Sequence, residues 1–364
     1  MKWKTEILNL KAYQPGKSID EVKRKYGLEK ITKLASNENP FGCSPVVEQM
    51  LMEYKPVRAI YPDGYAASLR QTVAEHLDVS EKQLIFGNGS DEVIQIISRG
   101  LLKPGVNTVM PAPSFPQYRH NAIIEGAEVR EVALINGEHD LEGMLNAIDE
   151  NTSVVWVCSP NNPTGCYINQ TDLLQFLSSI PEDVLVVLDE AYYEYVVSED
   201  YYDALSLIKE FSNLIVLRTF SKVYGLASFR VGYGVGNEQI IQTLEPLREP
   251  FNTNVLGQAA AAAAIQDQEF VENCKLHNRK GLEQFYTFCD EAGLSYFPSQ
   301  GNFILIDFNR DGDEVFHGLL AEGYIVRSGK ALGFPTSVRV TVGSEEQNSG
   351  VIEAMKKLLA SNLS

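Results

Sequence analysis

Short apolar runs alternate with amphipathic stretches along most of the chain. Gln83-Leu84-Ile85-Phe86, Thr108-Val109-Met110, Val154 to Cys158, Val184 to Leu188, Leu214 to Leu217 and Val231 to Val235 are such runs. Continuous apolar runs of this length read as strands covered on both faces, not as strands with one wet face. Between them lie helical patterns at Ser68 to Leu77 and at Asp91 to Leu102, the second closed by Lys103-Pro104-Gly105. Alternation of strand and helix predicts an α/β fold with a mainly parallel sheet. From Leu256 the rhythm changes to a helical stretch reaching Gly293, followed by strand patterns at Asn302 to Phe308, Tyr324 to Arg327 and Val338 to Val342. These predict a smaller α/β layer. The polar N-terminal segment, with turns at Pro15-Gly16 and Asn39-Pro40-Phe41-Gly42, is expected to pack there. The expected division is a large domain over 46–255 and a discontinuous small domain formed by 1–45 and 256–364.

Composition narrows the partners. The 364 residues are 44% hydrophobic and 22% charged, which suits a globular chain with a substantial core. A net charge of −17 repels nucleic acid and anionic membrane, so an anionic ligand needs a locally basic pocket. The five cysteines (Cys43, Cys158, Cys166, Cys274, Cys289) are odd in number and form no C-x-x-C pair, which fits reduced thiols. No two of the five histidines have metal-ligand spacing, so no metal is expected. The start, Met1-Lys2-Trp3-Lys4, lacks an apolar signal core, and no apolar run approaches the roughly 20 residues that span a bilayer. A cytoplasmic location is expected.

Candidate chemistry gathers just past the strands, where open parallel sheets bind ligands. Gly87-Asn88-Gly89-Ser90-Asp91-Glu92 joins a strand to a helix; glycines admit close approach, and the helix start offers free N–H groups to an anion. Alone it reads equally well as a capped turn. Ser159-Pro160-Asn161-Asn162-Pro163-Thr164-Gly165 is a rigid, sharply turned loop. Asp189 ends the run Val184 to Leu188 and opens Asp189-Glu190-Ala191-Tyr192. Burying such a carboxylate is costly without a cationic or strongly donating partner, and a helix cap is the plainer alternative. Lys222 lies in Arg218-Thr219-Phe220-Ser221-Lys222-Val223-Tyr224-Gly225, with Arg230 eight residues on. A lysine at the end of a buried strand, with hydroxyls before it and an arginine after, suits a Schiff base beside a phosphate.

Together these motifs resemble the fold-type I pyridoxal-phosphate aminotransferases. Asn37-Glu38-Asn39-Pro40, Tyr61-Pro62-Asp63-Gly64 and Val338-Arg339-Val340-Thr341-Val342-Gly343 also stand where that family has them. The likeness covers nearly the whole chain. Within the superfamily it is most similar to the histidinol-phosphate aminotransferases, including the early Ala12-Tyr13-Gln14-Pro15-Gly16. The resemblance implies a large domain with a seven-stranded, mainly parallel sheet plus a smaller α/β domain, and a homodimer with shared sites. It implies that Lys222 carries pyridoxal phosphate, Asp189 pairs with the pyridine nitrogen, and Asn162 and Tyr192 hold the ring 3′-oxygen. Phe115 would stack on the ring. Gly89, Ser90, Asp91, Thr219, Ser221 and Arg230 would hold the phosphate, joined by Tyr61 of the second subunit. Arg327 and Arg339 would grip the substrate's anionic group, with Tyr13 and Asn37 beside it. The expected reaction is ping-pong transamination from histidinol phosphate to 2-oxoglutarate. An aromatic amino acid as donor, or decarboxylation of a phosphorylated amino acid, are the alternatives.

Overall fold

The computed structural model describes residues 1–8, 10–11 and 16–360. Its main sheet has seven strands: Leu84–Gly87, Asn107–Ala112, Glu128–Ala133, Thr152–Cys158, Leu185–Asp189, Leu214–Thr219 and Gly232–Gly236. In chain order 1 to 7, their spatial order is 1-7-6-5-4-2-3. Four of the six pairings are parallel; Gly232–Gly236 runs antiparallel to both its neighbours. The all-apolar strands are explained by what covers them. Val155, Val157, Val186, Leu188, Leu214 and Val216 face one core, while Val154, Trp156, Leu185, Val187, Ile215 and Leu217 face another. Side chains alternate across a strand, so a strand between two helical layers must be apolar at every position. Each such Val or Leu contributes about 1.5–3 kcal/mol when fully buried.

The strand Glu128–Ala133 is absent from the sequence-based expectation. It is the sheet's edge, pairs only with Asn107–Ala112, and none of its residues is fully buried. An edge strand mixing Glu and Arg with Val shows no apolar run to detect. The helical stretch expected over Leu256 to Gly293 is two helices, Val255–Ala264 and Gln268–Ala292. Asp267 starts the second by accepting the Phe270 N–H at 3.1 Å. Ala260, Ala261, Ala264 and Ile265 are buried in the large-sheet core.

A second sheet is antiparallel, in the spatial order Arg327–Ser328, Ser337–Thr341, Phe303–Asp307, Ser295–Tyr296. It packs on Gln268–Ala292 and Glu345–Ala360 through Ile304, Ile306, Val338, Val340, Phe285 and Met355. The expected strand Tyr324 to Arg327 is divided between two sheets. Tyr324–Ile325 pairs in parallel with Thr32–Lys33, and Arg327–Ser328 pairs with Ser337–Thr341. The N-terminal segment is thereby stitched to the chain's last third, and Leu34 joins that core.

Candidate active site

Four of the strands end together. The register pairs Cys158 with Asp189, Asp189 with Leu217, Thr219 with Gly232 and Gly232 with Gly87. A Cβ at Gly232 would lie 2.2 Å from the Ser90 nitrogen, so glycine lets the turn after Gly87 settle against the sheet. The helix Ser90–Leu101 starts there, and its N-cap Gly89 (φ 76°) offers no side-chain acceptor to the first N–H groups. A side chain at Gly89 would strike the Arg230 guanidinium, 2.6 Å from an ideal Cβ. Arg230 sits over this turn, donating to Ser221 Oγ at 3.3 Å and meeting Asp91 Oδ2 at 3.4 Å. Burial pushes the Asp91 carboxyl up, and the Arg230 charge partly offsets that. Thr219 Oγ1 accepts the Ser221 N–H at 3.1 Å, tying the Thr219 hydroxyl to the residue whose own hydroxyl meets Arg230. Free helix N–H groups, two hydroxyls and a guanidinium form a basic cradle within an acidic protein.

Asp189 is 3% exposed at the other end of the site. Its Oδ2 accepts the Tyr118 hydroxyl at 2.7 Å, and its Oδ1 accepts the Ala191 N–H at 3.2 Å. Burial raises its pKa to about 6, against the lowering effect of Tyr118 and of the Lys222 charge. The chain beyond it is pinned by Glu190, which pairs with Arg218 at 2.8 Å inside the core while Arg218 covers the Tyr193 ring at 3.6 Å. Tyr118 is stacked on Trp156 (4.9 Å, 12°) and meets Phe115 edge-on at 5.6 Å. Sequence reasoning passed over Tyr118; the only signal was its place three residues after Phe115, on the same side of a helix's first turn.

Lys222 is half-buried. Its Nζ donates to the Ser36 carbonyl at 3.4 Å and lies 5.5 Å from the centre of the Tyr192 ring. Burial first, and the Arg339 charge second, lower its pKa to about 8. Tyr192 is buried against Phe303, its ring edge-on at 5.0 Å, and burial pushes its phenol up. Asn162 stands on the proline-rich loop, whose shape is set by its buried neighbour Asn161 through bonds to Thr164 and Ser114.

The opposite wall comes from the smaller sheet. Arg327 and Arg339 are partners in the antiparallel register. Like charges directly across a ladder repel, so the pair is suited to an anion between them. Arg339 donates to Asn162 Oδ1 at 2.5 Å and to the Ala35 carbonyl at 2.8 Å. Asn37, in a left-handed conformation (φ 58°), donates to the Tyr192 hydroxyl at 3.0 Å. Of the remaining expected residues, Tyr61 is 77% exposed and stacked on Phe251 (4.7 Å, 14°), outside this cleft's hydrogen bonds. Tyr13 lies outside the described residues.

The donor set fits pyridoxal phosphate: an anion cradle, a buried acid for a cationic ring nitrogen, and a primary amine of lowered pKa whose charge is felt by both. The comparisons agree with that fit. A model of the class I and II aminotransferases matches residues 29–355. A histidinol-phosphate aminotransferase of Geobacillus sp. (strain WCH70) is 62% identical over 99% of this chain and 98% of its own. The one from Bacillus subtilis (strain 168) is 58% identical over 99% and 100%. Among solved structures, the histidinol-phosphate aminotransferase of Sinorhizobium meliloti, in complex with pyridoxal-5′-phosphate, superposes with a TM-score of 0.90 at 26% identity, covering 99% and 98% of the two chains.

Proposed function

The chain belongs to the class I and II aminotransferase family, and from that membership we propose that it moves the amino group of histidinol phosphate to 2-oxoglutarate in a two-stage, ping-pong cycle. Its cofactor is pyridoxal phosphate. The observation that carries the reading is the set of charges around Lys222: those of Arg339, Asp91 and Arg230 act on its amine, and its own charge acts on the buried Asp189.

When bound, the cofactor supplies the sink for the electron pair left at the donor carbon. The protein's residues do the rest. Gly89, Ser90 and Asp91 present backbone N–H groups to the cofactor phosphate, and Thr219, Ser221 and Arg230 add side-chain donors. Asp189 holds a proton on the ring nitrogen; a carboxylate that is costly to bury alone gains a cationic partner there. Phe115 would pack on the cofactor ring, while Asn162 and Tyr192 would hold the 3′-oxygen. Arg327 and Arg339 bind the donor's anionic group and orient the bond to be broken. Lys222 Nζ then takes the proton from the donor carbon. With a pKa of about 8, half of this amine is neutral at pH 8, and proton transfer of this kind is worth about 10²–10⁴ in rate.

The dimer is part of this proposal. Met52, Val57, Ile60, Tyr61, Tyr65, Phe251 and Leu256 are exposed apolar side chains in two stretches of chain, brought together where Tyr61 stacks on Phe251. Such surface on a soluble chain marks an interaction site. A second copy covers it, and Tyr61 reaches the neighbouring cofactor phosphate. Among the described residues no helix is long and apolar enough to cross a membrane; we place the enzyme in the cytoplasm. We keep the two-domain division of the sequence reading as part of this proposal, with one boundary redrawn. Helix Val255–Ala264 goes with the large core, so the return to the smaller domain is drawn at Asp267.

Comparing kcat/KM for histidinol phosphate and phenylalanine tests the substrate. The phosphate should win by about 10–150-fold, the worth of one charged hydrogen bond. Equal values, or release of carbon dioxide in place of an oxo product, would overturn the assignment.

A further inference from the structure

The smaller sheet reaches the cofactor's 3′-oxygen side by a second route, separate from Arg339. Val338 and Val340 face the small core, so Arg339 and Thr341 share the strand's other face, toward the cleft. Thr341 Oγ1 accepts the Asn37 backbone N–H at 2.9 Å and donates to Asn37 Oδ1 at 3.1 Å. Asn37 Nδ2 donates to the Tyr192 hydroxyl at 3.0 Å, and Asn302 Nδ2 secures the Asn37 carbonyl at 3.0 Å. Thr341, Asn37, Asn302 and Tyr192 are 3%, 1%, 1% and 4% exposed, so water does not compete for these bonds.

The direction of the chain is fixed by its first member. A backbone N–H can only donate, so the Thr341 oxygen accepts and its own proton goes to Asn37 Oδ1. That contact sets the amide's orientation and presents Nδ2 to Tyr192. The Tyr192 oxygen then accepts, and its proton is left to point out of the relay. We propose that Thr341 is a positioning residue for the cofactor: through Asn37 it holds the Tyr192 hydroxyl as a donor to the 3′-oxygen. This rests on the assignment of Tyr192 to that oxygen made above. It gives Asn37 a task other than contact with substrate, and it ties the substrate-binding strand to the cofactor's electronic state.

A hydrogen bond given to the 3′-oxygen stabilises the deprotonated form of the bound chromophore, so losing it raises the pH at which the visible absorption titrates. The holoenzyme and four variants are titrated by absorbance. Tyr192→Phe should raise the midpoint by about 1–2 pH units, the equivalent of one charged hydrogen bond. Asn37→Asp should raise it comparably, because a carboxylate only accepts and turns the Tyr192 proton inward. Thr341→Val should raise it by about 0.3–1 unit, since Asn37 stays but is no longer oriented. Thr341→Ser keeps the hydroxyl and should return the wild-type midpoint. A Thr341→Val midpoint at the wild-type value, with Tyr192→Phe shifted, overturns the relay alone. A Thr341→Ser midpoint that stays with Thr341→Val also overturns it, by assigning the effect to packing. An unshifted Tyr192→Phe overturns the underlying placement of Tyr192.

Discussion

The two walls of the cleft are built on opposite principles. On the large-sheet wall, Asp189 and Thr219 are the last residues of buried strands, Lys222 lies in the turn after one, and Ser90 opens the helix that follows Gly87. On the small-sheet wall, function is assembled across the chain. Asn37 meets Thr341, Arg339 meets Ala35 and Asn162, and Arg327 meets Arg339 by strand register. The first wall is local in sequence and carries a cost, because it buries a carboxyl and an amine whose pKa values both move toward the neutral form. The second is non-local and made of hydrogen bonds that fix orientation. Chemistry is placed at the ends of buried strands, and recognition where two segments of chain must agree.

Two substitutions probe that contrast. Asp189→Asn should have the largest effect. It should abolish turnover, since an amide cannot hold a proton on the ring nitrogen. It should also stabilise the cofactor-free protein at alkaline pH. The Asp189 pKa is raised from 3.8 to about 6 in the folded state. The folded state therefore binds more protons than the unfolded one across this window, and stability falls as pH rises from 4 through 6. A displacement of about 2 units is worth roughly 3 kcal/mol. Thermal unfolding at pH 8 should show the cofactor-free variant melting above wild type, with the gap closing by pH 4. A variant that melts lower at pH 8 would contradict a strained carboxyl. Arg339→Ala, on the other wall, should lower kcat/KM by about 10–150-fold through the loss of a charged hydrogen bond. An unchanged value would assign the anchoring of substrate elsewhere.

The contrast also explains how much could be read from the sequence. The strands of the large sheet between two helical layers were visible as apolar runs, and their site residues follow them directly, so Asp189 and Lys222 stood out. The edge strand Glu128–Ala133 was hidden by its mixed composition. Tyr118 was hidden because its partner Asp189 is 71 residues away and no motif joins them. Thr341 shared the Arg339 face by simple alternation, which was legible, but its partner Asn37 lies 304 residues upstream. Local order writes itself into sequence pattern; contacts made only by folding do not.

The most direct test is chemical. Borohydride reduction of the holoenzyme, followed by peptide mass spectrometry, should place one pyridoxyl group on Lys222. An adduct on a different lysine, or none after incubation with pyridoxal phosphate, would contradict the account.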